Sequence, residues 1–460
     1  MLPTLPHALG WAAATAAVSS SFIPSGVALA LNEAASSPLQ GAAASTPGAT
    51  PPQTLDPQDF PPMDAPATDP AGTGPAAKSA QRSPAWTFSA FMHTEVATIN
   101  DQSRLNPGNT IFQARDHGSY VETRLNASDT FGGDHQGRWQ FKTYTTSSST
   151  SPSVAGMHSR VDELYADWKA PRWFATVGKR RINWGHALGF NPVNVVAPAR
   201  NPLDPSFATE GQPIGWVGFS GDTVLDLLVT HAAARNTYSG DRPRWGARWS
   251  VPGDGKDFAV YAFGGAPYPD GRSFPAMLGG SFSMNAMPGL TLYGELAHFS
   301  KNYRNYYSPL GTPFTKSGPY SQAAVGSQLD LGGKSSAFVE LFINGAGYSR
   351  QERSDYLQAL DAGIASASVG TTLSDFIPLA LNRQYLLLGY KKEYREKYSG
   401  SVNVLVARDG SFSNRLEAAY AMSDYLEAKL SLQHDGGGRG TEFGNSPTKR
   451  LLQLQLIASF

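Results

Sequence analysis

The sequence predicts an all-β fold: a single closed antiparallel transmembrane β-barrel of about 18 strands, roughly 14–18 at the limits. Three observations predict it. From Trp86 onward, apolar and polar residues alternate in short segments separated by turn residues, the period of a strand with two different faces. The links between those segments are alternately short and long. The chain also stops on such a segment, with Leu452, Leu454, Leu456, Ala458 and Phe460 on one face and Gln453, Gln455 and Ser459 on the other.

Composition agrees with this class and removes others. The 460 residues carry 37 basic and 37 acidic side chains, so no nucleic-acid footprint is visible. Mean hydropathy is -0.30, and past the N-terminus no apolar run reaches the ~18 residues of a spanning helix. A barrel escapes that test, because only alternate residues of each strand meet lipid. The 19 Tyr, 23 Phe and 9 Trp suit interfacial girdles, and the 47 Gly suit tight turns. With no Cys there is neither disulfide nor thiolate chemistry.

In chain order, residues 1–30 read as a signal peptide: an apolar stretch through Trp11, Val18, Phe22 and Ile23 precedes the small-x-small Ala28-Leu29-Ala30, although no Lys or Arg opens it. Residues 31–83, rich in Ala, Pro, Ser and Thr, read as a disordered leader that cannot bury enough apolar surface to order itself. Residues 84–460 form the barrel. Strands are expected at 86–98, 117–129, 137–147, 158–168, 172–182, 212–220, 222–232, 243–251 and 257–265. The second half places them at 275–285, 290–300, 321–331, 335–344, 382–392, 400–408, 413–422, 425–434 and 448–460.

Every even-to-odd link in that series is short, such as 169–171, 221, 286–289 and Ser423-Asp424. Long links fall only at odd-to-even positions: 99–116, 183–211, 301–320, 345–381 and 435–447. Outer-membrane barrels are built this way, with short periplasmic turns and long extracellular loops. Within the 345–381 link, helix formers after Ser354-Asp355 predict a short helix that covers the barrel mouth.

The hairpin around Ala170-Pro171 gives a register. Centring the turn there pairs Trp168 with Trp173, Ala166 with Ala175, and Leu164 with Val177 on the lipid face. Glu163, Tyr165 and Asp167 then face inward with Phe174, Thr176, Gly178 and Arg180; a one-residue slip would expose the acids to lipid. The same parity turns Glu122, Arg124, Gln140, Lys142, Asp226, Thr230, Arg244 and Arg248 inward. Later strands add Glu295, Gln328, Glu340, Glu417, Glu427, Lys429, Gln453 and Gln455. A barrel of this size encloses more space than its side chains fill. Glu163, Asp167, Arg180, Arg181, Asn183, Arg248, Glu340, Glu417 and Lys429 are therefore the pore-lining candidates.

The amphipathic C-terminal strand closed by an aromatic residue resembles the final strand of Gram-negative outer-membrane barrels. In that family the terminal Phe, here Phe460, belongs to the signal read by the barrel assembly machinery. The strand end Gly178-Lys179-Arg180-Arg181-Ile182-Asn183-Trp184-Gly185, followed by Asn191-Pro192, resembles porin-like proteins of proteobacteria, including alginate-export-like barrels. The likeness covers about 40 residues and the general layout. It implies a cell outer-membrane location among lipid and lipopolysaccharide, and a 183–211 loop able to fold inward, bringing Arg180, Arg181, Asn183 and His186 to a constriction.

The function expected is a porin-like channel for passive diffusion of small polar solutes, without cofactor or metal. One alternative is an export conduit for a polysaccharide, which wants a basic lumen. The other is a barrel enzyme acting on lipid. Asp116-His117 and His434-Asp435 are adjacent pairs whose side chains diverge in extended backbone, and neither His298 with Ser300 nor His158 with Ser159 has a Gly-x-Ser-x-Gly elbow. No catalytic set emerges. Oligomeric state is not encoded in any feature of the pattern.

Overall fold

The computed structural model describes residues 85–131, 136–148, 156–197, 201–203, 211–231, 243–268, 271–365, 379, 381–395 and 397–460. The segments read as signal peptide and leader, 1–30 and 31–83, lie outside them. The first nine strands are β1 (Ala85–Ile99), β2 (His117–Phe131), β3 (Gln136–Ser148), β4 (Gly156–Ala170), β5 (Trp173–Arg180), β6 (Gln212–Ser220), β7 (Val224–Thr230), β8 (Arg244–Gly253) and β9 (Lys256–Gly265). Then come β10 (Met277–Met287), β11 (Leu290–Phe299), β12 (Asn305–Tyr307), β13 (Pro313–Thr315), β14 (Tyr320–Gly332) and β15 (Ser335–Asn344). The last five are β16 (Gln384–Tyr394), β17 (Tyr398–Ala407), β18 (Phe412–Ser423), β19 (Leu426–Gly436) and β20 (Thr448–Ser459). Among the described residues, 18 strands form one sheet of antiparallel neighbours, and β1 pairs with both β2 and β20. The sheet is thus a closed barrel without an edge.

Its polarity is inverted relative to a water-soluble core. In β7 the burial alternates strictly: Asp226, Leu228 and Thr230 face inward while Leu225, Leu227 and Val229 are 40%, 45% and 60% exposed. Glu122 and Glu340 are fully buried inside the barrel, whereas Leu296, Val325 and Leu454 stand exposed outside. Apolar residues out and charges in is the pattern of a wall with a non-aqueous surround.

Sequence parity located the strands; the register needed correction. Ala170 pairs with Trp173, Trp168 with Ala175, Ala166 with Val177, and Leu164 with Lys179. The turn is Pro171-Arg172, so each partner differs by two positions from the pairing centred at Ala170-Pro171. A two-residue slip conserves faces, which is why every side chain keeps its expected side. A second departure is a bulge in β4, where Lys142 pairs with Glu163 and Thr143 with Val161. The extra residue is Asp162, and both Asp162 and Glu163 are buried. Strict alternation cannot foresee that.

The long-loop rim carries two features. One is the β12–β13 hairpin, absent from the sequence expectation because three-residue strands hold too little pattern. The other is helix α1 (Arg350–Ala365), longer than expected and starting earlier. Its cap is Ser349, not Ser354 or Asp355. Ser349 Oγ accepts the N–H of Glu352 at 3.3 Å while Glu352 Oε2 accepts the N–H of Ser349 at 2.6 Å, a reciprocal capping box. Tyr356, Leu357 and Leu360 of α1 pack with Leu105, Phe112, Tyr306, Tyr307, Tyr348 and Leu381, joining three long loops into one apolar cluster. Asn100 Nδ2 ties the first loop to the last through the carbonyls of Gly444 and Ser446, at 3.0 and 2.8 Å.

Candidate functional site

The interior is divided by the segment that leaves β5. From Ile182 to Leu203 its described residues run inside the barrel, held by carboxylates projecting from the far wall. Glu295 on β11 accepts the backbone N–H groups of His186 and Ala187 on Oε1, at 2.6 and 2.7 Å, and that of Val193 on Oε2 at 3.4 Å. Glu340 on β15 accepts those of Leu188 and Gly189 on Oε2, at 2.8 and 3.2 Å, and of Phe190 on Oε1 at 2.7 Å. Asn403 Nδ2 on β17 donates to the carbonyl of Leu203 at 2.8 Å. An irregular segment must satisfy its backbone donors, and here two strand carboxylates take six of them.

Glycine permits this approach at Gly185 and Gly189. A Cβ on Gly185, which has φ +98°, would fall 2.3 Å from Glu295 Oε1; one on Gly189 would fall 2.2 Å from Leu387 Cδ2. Around them the segment packs in two apolar groups. Ile182, Trp184, Val193 and Val196 meet Ile214, Leu228, Tyr261, Phe263, Met277 and Phe299. Ala187, Phe190 and Leu203 meet Tyr293, Phe342, Tyr385, Leu387 and Leu405, with Phe190 stacked on Phe342 at 4.3 Å. These contacts cover inner-face residues of β6, β7, β9 to β11 and β14 to β17.

The remaining inner wall, β18 to β20 and β1 to β5, is polar and ion-paired. Lys142 Nζ lies 2.9 Å from Glu163, Arg160 Nε 2.8 Å from Asp162, and Arg181 3.5 Å from Asp162. Asp167 takes Arg180 at 2.7 Å and Arg138 at 2.9 Å. Arg124 pairs with Glu122, and its guanidinium lies 4.4 Å over the ring of Phe91; those of Arg160 and Arg180 lie 4.3 and 4.7 Å over Tyr144 and Tyr165. Glu417 bridges Lys429 at 3.1 Å and Arg415 at 3.2 Å. A further charged group lies outside this wall, on β7 to β9, where Arg248 sits between Asp226 and Asp257 at 3.6 and 3.7 Å.

Of the expected lining residues, Glu163, Asp167, Arg180 and Arg181 come together beside the start of the inserted segment, where Arg181 N–H donates to Glu163 Oε1 at 3.1 Å. Asn183 is half-buried two residues on. Glu417 and Lys429 form a separate pair, and Arg248 stands on a third wall. Glu340 has a different task from the one expected of a lining residue: it is fully buried and anchors the segment.

Sequence reasoning missed Ser281 and Asp257, which meet His186. His186 Nδ1 is 2.9 Å from Ser281 Oγ and Nε2 is 3.0 Å from Asp257 Oδ2. Parity would have found both, since Asp257 shares a face with Ala259, Tyr261 and Phe263, and Ser281 one with Met277. A serine, histidine and aspartate in series is the connectivity of an acyl-transfer set. Ser281, however, is buried and shares its hydroxyl with Tyr261 at 2.9 Å, so the group latches the segment to β9 and β10.

The other histidines bring small corrections. Asp116 and His117 do meet, at 2.6 Å and fully exposed, because Asp116 lies in a bend before β2 and not in extended backbone. His298 meets Ser321 across the β11–β14 pair instead of Ser300. His434 Nδ1 contacts the Lys449 carbonyl. The side chain of His158 lies outside the described residues. Among the described residues no group of three or more metal-ligating side chains converges.

No protein-family model matches the sequence, and no curated protein matches it. Among solved structures the chain is similar to mutants of the porin of Rh. blastica. One of them, at 9% identity, covers 82% of this chain and 100% of its own, with a TM-score of 0.44. A triple mutant of Rhodopseudomonas blastica porin, at 10% identity, gives the same coverage and a TM-score of 0.44. Likeness at that level carries no argument about what this barrel does.

Proposed function

We propose that the protein is a porin-like channel in the outer membrane of a Gram-negative cell, passing small polar solutes by diffusion. The observation that supports this most directly is the division of the interior. The inserted segment seals its apolar side against β6, β7, β9 to β11 and β14 to β17, while the charged inner wall of β18 to β5 is left outside both apolar groups. Ionised walls next to a water-filled lumen are how pores discriminate among solutes.

Asp167, Arg180, Arg181 and Glu417 line this passage, Glu163 and Lys429 are buried behind their ion-pair partners, and Asn183 and Arg248 border it. Its surroundings are outer-membrane lipid and lipopolysaccharide, contacted by the exposed apolar outer face. Phe460 serves as the signal for the barrel assembly machinery. A polymer conduit is less well served: widening the passage would break the six backbone hydrogen bonds to Glu295 and Glu340. Refolded full-length protein in a planar bilayer should give discrete conductance steps. A barrel that inserts and never conducts would overturn the reading.

A further inference from the structure

The two signs of charge on the β2 to β5 wall lie at different depths. The side chains of Glu122, Glu163 and Asp162 are 0%, 6% and 10% exposed, while their partners Arg124, Lys142, Arg160 and Arg181 are 18%, 22%, 17% and 28% exposed. Toward the short-turn rim Arg138 is 43% exposed beside Asp167 at 18%. Arg180, at 12%, is the one cation of this wall deeper than its partner. Formal neutrality therefore hides a layered arrangement, with carboxylates against the wall and cations in front of them.

We infer that this wall is a track for small anions, inorganic anions and carboxylate-bearing solutes alike, so that the channel conducts anions in preference to cations. The inference rests on the channel reading. A solute in the lumen is closer to the cations than to the carboxylates behind them, and water screens those carboxylates poorly, so the local potential is positive. The described part of the inserted segment adds no opposing pole, because residues 182–197 and 201–203 include no Asp, Glu, Lys or Arg. Among the described residues of the lumen wall, opposite layering occurs at three points: Asp167, 18% exposed, is in front of Arg180 at 12%, Glu417 at 18% fronts Lys429 at 3% and Arg415 at 8%, and Asp257 at 33% fronts Arg248 at 15%. Five fronting cations on one wall outweigh these three carboxylates, of which Asp167 is itself fronted by Arg138.

Full-length protein in a planar bilayer under a potassium chloride gradient should show a zero-current potential on the chloride side, shrinking as total salt rises. Arg138→Gln and Lys142→Gln should each move it toward potassium, and Glu417→Gln should move it further toward chloride. Arg138 and Glu417 are the informative pair, because opposite shifts cannot come from a common loss of folding. Potassium preference in the unaltered protein, or no shift in either variant, overturns the anion track while leaving the channel standing. Absence of any conductance removes the channel reading, and the track with it.

Discussion

Glu340 Oε1 accepts the backbone N–H of Phe190 at 2.7 Å, joining β15 to a segment that enters the barrel from β5, 150 residues earlier in the chain. The same carboxylate takes Leu188 and Gly189 on its other oxygen, and Glu295 repeats the arrangement for His186, Ala187 and Val193. The position of the segment therefore depends on two acceptors with both oxygens used.

Glu340→Gln should loosen this seat. An amide keeps one acceptor oxygen and turns its NH₂ toward N–H groups that were being satisfied. Hydrogen bonds to charged groups contribute about 1.5–3 kcal/mol each, so losing one or two is a substantial part of the anchoring. Single-channel recordings should show a noisier open level with transient larger currents, and proteases added to the folded protein should cut near residues 182–203. An unchanged current and an intact segment would mean that the apolar packing alone holds it.

Packing has its own test at Gly189. The added Cβ of Gly189→Ala would sit 2.2 Å from Leu387 Cδ2, and Leu387 is fully buried. Overpacking of this kind costs about 1–3 kcal/mol. Thermal unfolding should show the loss in Gly189→Ala and partial recovery in Gly189→Ala combined with Leu387→Ala. Additive losses would show that the two positions do not meet.

These residues also mark what could be read from the sequence. Parity put Glu295 and Glu340 inside, because a strand's two faces are fixed by a period of two and survive a register slip of two. That is why the β4–β5 pairing could be misplaced while Glu163 and Asp167 kept their side. Alternation has no term for a bulge, so the depth of Asp162 was invisible. It also cannot say which inward carboxylate meets solvent and which meets a loop. Glu340 was read as lining for that reason, and its role became visible only with the course of Leu188-Gly189-Phe190. The β12–β13 hairpin and the Ser349 cap are local features whose signal was diluted in a long link.

Acid should act on the long-loop rim through Glu352. Burial pushes its carboxyl up, but hydrogen bonds from Lys316 and from the N–H and hydroxyl of Ser349 outweigh this and hold it below its ordinary value of 4.5. A lowered folded value stabilises above 4.5, and that contribution is lost as pH falls through the depressed value. Glu442, in the last long loop, runs the other way: burial raises it, so acid favours its neutral form in place. The protection of the α1 amides, taken relative to the intrinsic exchange rate at each pH, should fall below about pH 4.5. Glu352→Gln should exchange quickly at neutral pH already and lose this pH dependence; a variant that keeps the wild-type profile would point to another group.

Phe460 allows recognition to be separated from stability. Its backbone exchanges hydrogen bonds with Phe88, the N–H of Phe460 reaching the Phe88 carbonyl at 2.8 Å and the N–H of Phe88 returning to the Phe460 carbonyl at 3.0 Å. Those bonds belong to the closing β1–β20 pair and survive any side-chain change. The ring itself is 71% exposed, so Phe460→Ala removes little packing. Purified and refolded in detergent, this variant should keep the fold and lose no more than the ring's contact with the detergent, at most about 1.5–3 kcal/mol. In cells its amount in the outer-membrane fraction should fall, with unfolded chain accumulating or being degraded. Equal membrane levels would remove the signal role. A refolded variant that loses clearly more than this would instead assign Phe460 to holding the barrel closed, and only the first pattern, a retained fold with poor delivery, makes the terminal ring an address.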